Sequence, residues 1–501
     1  MKRFLKKYVF IFVLSLVFSL FVVNNSYAET TVTTEDQLQT AINNNEDIVI
    51  NSNIDITKSI KVPNTYNKTI KLNGTLKMNF VGNMFEVDGA TFTFDGGVLD
   101  GNGKGRIFDI YGNSNVTIKN ATIQKATTEE FQKKLDNGVN IQNYKGGAVK
   151  LTSSTLNLED VTFQENHSKN QTPDAEKPED PRIESNGGAI YIIGSTLNIK
   201  GGKFLNNYTG TSETLNKVNG EGGAIKVDIG SKLNIDVLEK NGQEIRTLFD
   251  GNHVYHSVGN MGGFQGGAIE VSDSVANINK ADFVVKGGFD TGGAIKFESS
   301  GSANNHNKIT NSTFKLVGGQ LPTTPVPSTH FGISGGAIMS ENAFLTISNT
   351  EFTMEGKPTV AFAGGFIDVA GGGEFNLYDS KLTGNGYAWN DLSFKSAKYG
   401  GALSFENESS TKAHIKNTKF ENFTVDLAGG IIAVGHSDLN LNTFGQTTVD
   451  LLMENTTLNG ARAYTFNANS VGAGMYIAEN SNVVIKGGKI SDMSANYGGA
   501  I

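Results

Sequence analysis

The chain has 501 residues, with 42 Lys and Arg against 50 Asp and Glu, 60 Gly, 31 Phe and no Cys. Without cysteine there are no disulfides, thiolate metal sites or cysteine nucleophiles, and a net charge of −8 argues against a nucleic-acid binder. A hydrophobic fraction of 38% supplies material for a core and excludes a wholly disordered chain.

Lys2, Arg3, Lys6 and Lys7 precede an apolar run from Val9 to Val23, and Ser26-Tyr27-Ala28 gives a small-x-small cleavage site before Glu29. The run is short for a membrane span of ~20 residues, so residues 1–28 read as a secretory signal, with a retained anchor as the alternative. Removing the segment takes away four cations and leaves 38 against 50, a mature net charge of −12. No later stretch is apolar enough to span a bilayer. Thr34-Glu35-Asp36-Gln37 is a capping box, and Leu38, Ala41 and Ile42 make one apolar stripe, which predicts a short helix covering the open end of the first strands. Strand-like runs come next at Ile48–Ile56, Thr69–Met78, Thr91–Phe94 and Asn115–Ile123, then a charged insertion at Thr127–Tyr144.

From residue 146 the chain repeats. A signature, most often Gly-Gly-Ala followed by Ile, Val or Leu, begins at Gly146, Gly187, Gly222, Gly266, Gly292, Gly335, Gly364, Gly400, Gly429, Gly472 and Gly498. The spacing is uneven, shortest from Gly266 to Gly292 and from Gly472 to Gly498, and longest from Gly222 to Gly266. Yet Phe163, Phe204, Phe283 and Phe352 stand at one fixed offset from Gly146, Gly187, Gly266 and Gly335. The interior of a unit is therefore near constant, and the variable connections fall between the Phe and the next glycine pair, at His167–Asn186, Tyr208–Glu221, His253–Gln265, Gly318–Ser334 and Asn385–Tyr399. Within a unit the apolar period is two, with Gly, Ser and Asn at the breaks and nothing at helical spacing.

Three short strands within the shortest unit fit one coil of a right-handed parallel β-helix, an all-β solenoid whose coils stack ~4.8 Å apart into a rod on the order of 65 Å long. The pattern predicts an inward aliphatic ladder of Ile190, Ile225, Ile269, Ile295, Ile338, Ile367 and Leu403, and an aromatic one of Phe163, Phe204, Phe249, Phe283, Phe314, Phe352 and Phe420. Asn166, Asn207, Asn252 and Asn385 follow the Phe or Leu by three residues, where stacked amides satisfy turn backbone groups. The chain divides into residues 1–28, a cap with the first coils at 29–145, and the signature-bearing helix at 146–501. Gly498-Gly-Ala-Ile501 opens a further coil, which leads us to expect a longer protein with an anchor region beyond it.

The alternation of Gly-Gly-Ala-Ile/Leu/Val with Phe-x-x-Asn (Phe163–Asn166, Phe204–Asn207, Phe249–Asn252) resembles the repeat of chlamydial polymorphic outer membrane proteins. It is also similar to repeats of exported Gram-positive β-helix adhesins, and Thr34–Ile42 through Ile70–Gly74 resembles the opening of pectate-lyase-like surface adhesins. The resemblance implies a rod displayed on the bacterial surface, at the cell wall or outer membrane, attaching to a host or matrix protein or to a glycan. Neither an autotransporter barrel nor a wall-sorting signal occurs in these residues, and only three Phe-x-x-Asn copies are strict.

The rival class is a polysaccharide lyase or glycoside hydrolase, which needs two suitably spaced carboxyls or converging oxygen ligands for Ca²⁺. Asp100 in Leu99-Asp-Gly-Asn-Gly103 resembles a segment of pectin-degrading glycosidases, but the downstream acidic pair is missing. Acids recur six residues after the first glycine at Asp228, Glu298, Glu341 and Glu406, and Glu298 with Glu341 is the pair expected to stack on adjacent coils and to offer a Ca²⁺ site. His253 and His256 are the close histidine pair, without a third ligand. Tyr387, Trp389 and Phe394, with Tyr399, lie in one polar insertion and are the candidate ligand contacts, the alternative being that they fold inward to pack it. We expect a non-catalytic adhesin or structural rod that needs no cofactor.

Overall fold

A computed structural model of the chain describes residues 29–128, 145–168, 183–210, 218–254, 266–286, 293–318, 335–356, 363–385, 397–406, 409–436, 448–463, 470–478 and 480–501. Three long sheets, parallel throughout, run the length of the rod, and consecutive strands of the chain visit them in turn. Ile190–Ile193, Thr196–Lys200 and Lys203–Leu205 make one such coil. We call the sheet that receives the signature the glycine sheet (13 strands), the next the amide sheet (15 strands) and the third the phenylalanine sheet (15 strands). The architecture is a right-handed parallel β-helix of three strands per coil. Helix α1 (Glu35–Asn43) closes its first coil, burying Leu38, Ala41 and Ile42. Thr34 caps it by accepting from the Gln37 N–H at 3.3 Å, while the Gln37 side chain accepts from Thr33 N–H at 2.9 Å.

The two glycines of the signature do different work. The first lies in the left-handed region, with φ between 50° and 74° at Gly146, Gly187, Gly222, Gly266, Gly335 and Gly400, where an L side chain is strained. The second is needed for close approach: a Cβ on Gly188 would lie 2.1 Å from the Gly223 carbonyl oxygen of the next coil and 2.4 Å from that of Tyr208. A different close approach precedes the signature: Gly105, which by register lies opposite Gly146, would with a Cβ stand 2.0 Å from the oxygen of Gly82 in the preceding coil. Gly292 lies outside the described residues.

Inside, the predicted aliphatic column is in register and fully buried from Ile190 to Leu403. Phe163, Phe204, Phe249, Phe283, Phe314 and Phe352 form a face-to-face stack with ring centroids 4.6–5.0 Å apart, the spacing of the coils themselves. The column then differs from expectation, since Leu382 stands between Phe352 and Phe420. Asn166, Asn207 and Asn252 stack beside it, Asn166 donating to Asn207 Oδ1 and Asn207 to Asn252 Oδ1, both at 2.9 Å. Asn385 instead donates to the Gly356 carbonyl.

The expectation that all insertions share one corner needs correction. Leu238–Lys240 and Gln243–Ile245 form an antiparallel hairpin between an amide-sheet strand and a phenylalanine-sheet strand. It lies back over the corner: Lys240 reaches Asp160 at 2.9 Å, and Arg246 reaches Asp282 at 2.9 Å. The added hairpin is why Phe249 lies farther from Gly222 than Phe204 does from Gly187.

The two kinds of glycine predict unequal penalties. Gly188→Ala should cost about 3 kcal/mol or more through backbone overlap. Gly194→Ala, with φ of 55° but nothing nearer its Cβ than Ser153 Oγ at 3.7 Å, should cost about 1–2 kcal/mol from strain alone. Denaturant unfolding of the two variants would reveal the difference, and equal losses would contradict the close-approach role.

Candidate functional site

In each glycine-sheet strand the residue after the inward aliphatic side chain points outward, and in a bare solenoid it would be wet. Lys150, Tyr191, Lys226, Glu270, Lys296, Met339, Asp368 and Ser404 form this column in register. From Tyr191 onward it is buried, Glu270 completely. Described ends of the insertions lie along this side, where Ile183–Asn186 pairs with Val218–Glu221 and Glu221 reaches Lys226 of the column. Farther along, Ala363, Tyr399, Ala428 and Ala433 form a small second core on the same side.

The column is charged. The Lys226 ammonium donates to Glu221 Oε2 at 2.8 Å, to Glu270 Oε1 at 2.8 Å and to Ser272 Oγ at 2.6 Å, which uses all three of its protons. Burial opposes that charge, yet the Coulombic pull of Glu270 and Glu221 outweighs it and holds the lysine above its usual pKa. Burial pushes the Glu270 carboxyl up while the Lys226 ammonium beside it pulls it down, and its Oε2 has no hydrogen-bond partner. Ser404 donates to Asp368 in a short hydrogen bond two coils beyond Met339.

Glu298 and Glu341 do stand opposite each other on adjacent coils. The cation between them is Lys296, 3.3 Å from Glu298 Oε2 and 2.8 Å from Glu341 Oε2. Among the described residues no group of three or more His, Asp or Glu converges as a metal site. Asp228 accepts from Tyr191 OH at 2.6 Å. Asp100 is spent on its own turn, accepting from Asn102 N–H at 2.7 Å and from Gln124 at 3.1 Å. Tyr387, Trp389, Phe394 and His256 lie outside the described residues, while Tyr399 is buried in the second core. A shallow cleft of about 300 Å³ at the corner between the glycine and amide sheets is lined by Asn113, Ser154, Ser195 and their neighbours, none of them charged.

Directly after the asparagine ladder, His167, Tyr208 and His253 stack in parallel, with centroids 4.8 and 5.4 Å apart. His167 Nε2 meets Thr127 Oγ1 at 2.8 Å, and His253 Nδ1 meets the Gly251 carbonyl at 3.0 Å. Burial pushes the His253 pKa below its ordinary value, only partly offset by that carbonyl.

Residues 160–193 match the Chlamydia polymorphic membrane protein (Chlamydia_PMP) repeat, a stretch that runs from the Phe163–Asn166 turn to the glycine pair at 187. The molecule is thus a parallel β-helix carrying that repeat. No curated protein matches the chain. Among solved structures it is similar to the periplasmic alginate epimerase AlgG, at 10% identity and a TM-score of 0.24, covering 87% of this chain and 77% of that one. A point mutant of the same epimerase gives 11% and 0.17, with 84% and 77% covered. Likenesses this slight carry no argument. Among the described residues no helix is long and apolar enough to cross a membrane.

The insertion side should respond both to loss of a charge and to pH. Lys226→Met leaves Glu270 buried without its counter-charge and should cost about 3–5 kcal/mol, most of it recovered in Lys226→Met with Glu270→Leu; denaturant midpoints would show whether the double variant recovers. His253 resists protonation in the fold, whereas the unfolded imidazole takes a proton near pH ~6.5. Its contribution is therefore present above that pH and lost as the pH falls below it. His253→Phe should lose less stability than the parent between pH 7 and 5.5, as read from denaturant midpoints at the two values.

Proposed function

We propose that this chain is an exported, non-catalytic rod of the bacterial surface that adheres to a host or matrix protein or to a glycan through its insertion side. The observation that carries this reading is the division of labour along the solenoid. A regular, dry scaffold repeats beneath connections that differ in length and chemistry from coil to coil, and variable loops on a rigid frame are where recognition resides. The polymorphic membrane protein repeat at residues 160–193 supports a surface location. The acids that recur along the scaffold are engaged by lysines and turns, which supports adhesion over glycan cleavage.

The aromatic insertion is the first contact to test. The full chain, immobilised and probed with matrix proteins and a glycan panel that includes polygalacturonate, should bind at least one of them. A variant lacking residues 386–396 should bind that ligand at least tenfold more weakly while keeping its β-rich far-UV signal. Undiminished binding by the variant would move recognition elsewhere, and release of shortened glycan would turn the reading to catalysis.

A further inference from the structure

The amide sheet has a different outer face. Its central outward column runs Thr69, Thr93, Thr117, Asn157, Asn198 and Asn234 in register, an uncharged stretch preceded by Asp47 and followed by Asn277 and Lys308. Asn198 donates to Asn157 and Asn234 to Asn198, both at 2.8 Å. Two residues further along each strand a second column reads Lys71, Asp95, Lys119, Glu159, Lys200 and Asp236, six charges that alternate in sign on six consecutive coils. Uncharged residues bound it on both sides, Thr31 and Val49 before Lys71, Asn279 and Thr310 after Asp236. All six charged side chains are at least partly exposed.

The alternation is only partly met within the chain, where Asp95 accepts from Asn120 and Asp236 from Asn279, both at 2.8 Å. Lys119 reaches Asp95 at 3.4 Å, and Lys71 turns away to Glu29. Glu159 and Lys200 stand directly opposite each other, yet among the described residues neither closes an ion pair. A series of six alternating charges has a symmetry property: read backwards, every position carries the opposite sign. Two copies of the face laid together antiparallel, about a two-fold axis parallel to the strands, would set each charge against its opposite.

We propose that this face of the amide sheet is a self-association surface whose partner is a second copy of the chain, with the two-fold axis between the strands Asn115–Lys119 and Thr155–Glu159. Lys119 then faces the partner's Glu159, Asp95 the partner's Lys200, and Lys71 the partner's Asp236. In the central column the threonines Thr69, Thr93 and Thr117 meet the amides Asn234, Asn198 and Asn157, a hydroxyl opposite an amide each time. The uncharged ends of this column also meet, Val49 with Asn279 and Thr31 with Thr310, so no charge in it is left facing an uncharged residue, while in the central column Asp47 faces the amide of Asn277. The overlap takes in ten strands, from Thr30–Val32 to Asn307–Thr310. At ~4.8 Å per strand and ~16 Å across, that is roughly 770 Å² per partner, close to the ~800 Å² of a standard specific interface. Such an isologous contact closes on itself and yields a dimer, not a fibre.

Charge reversal at sites remote from each other in one chain tests this. Asp95 and Lys200 are three coils apart, about 14 Å, and do not contact each other within a rod. Lys200→Glu alone and Asp95→Lys alone should each weaken dimerisation of the full chain at least tenfold, read by sedimentation equilibrium at low salt, with circular dichroism confirming the fold. The double variant should return to near the parent affinity, because it restores opposite signs across the two-fold. Within one chain the same double variant only adds like-charge neighbours, since Asp95→Lys sets a third cation between Lys71 and Lys119, so a purely intramolecular ladder predicts no rescue. The parent dimer should also weaken as salt rises. A monomer at every concentration, an open-ended polymer, or a double variant no better than the singles would each overturn the proposal.

Discussion

The constraint on which the rest depends is the approach of one backbone to the next at the glycine corner. At Gly188 and most of its counterparts a Cβ would stand about 2 Å from the carbonyl of the following coil, so these signature-bearing coils close to strand spacing because that atom is missing, while Ala473 and Arg106 take the same position where the local backbone leaves room. Once the corner closes, the neighbouring column of aliphatic side chains and the stack of phenyl rings fall into register, and both bury completely. The ring spacing of 4.6–5.0 Å follows from the backbone repeat. The rings stabilise the stack by their burial, while the corner decides that a stack exists.

From the same frame the two outer faces take different characters. On the glycine sheet, the described ends of the connections cover an outward column and turn it into a second interior, where the buried charges are partnered. Lys226 with Glu221 ties scaffold to insertion layer, while Lys226 with Glu270 and Lys296 with Glu298 and Glu341 tie adjacent coils together. Such pairs add little net stability, but each is costly to break from one side, so they specify how the layer sits. On the amide sheet no comparable layer returns among the described residues, and the polar columns keep their regular spacing.

Much of this is legible in the residues. The recurrent tetrapeptide, the Phe at its fixed offset and the period of two point to the solenoid and its inward columns, and the capping box locates α1. The rest is not, each part for a physical reason. Lys226 and Glu270 occupy positions that alternate outward, and a charge there reads as solvated because the sequence does not say that another segment covers it. Glu298 and Glu341 stack as their spacing implies, but the lysine between them comes from the strand of Glu298 itself, two residues earlier, and its reach across the coils is a matter of side-chain geometry. The hairpin at 238–245 does carry a signal, the displaced Phe249 together with Asn241-Gly242, a pair suited to a tight two-residue turn. Gly82 and Gly105 are silent because no second glycine follows either of them, and a lone glycine forms no motif.

The alternating column carries an arithmetic constraint on how such a rod can change length. A solenoid tolerates the loss or duplication of whole coils, since each touches only its neighbours. Within the segment from Lys71 to Asp236, however, removing one interior coil would bring two like charges onto adjacent strands, whereas removing two neighbours would leave the signs in order. Viable length variants of this stretch are thereby biased toward even steps, a parity rule imposed by electrostatics on a scaffold otherwise indifferent to number.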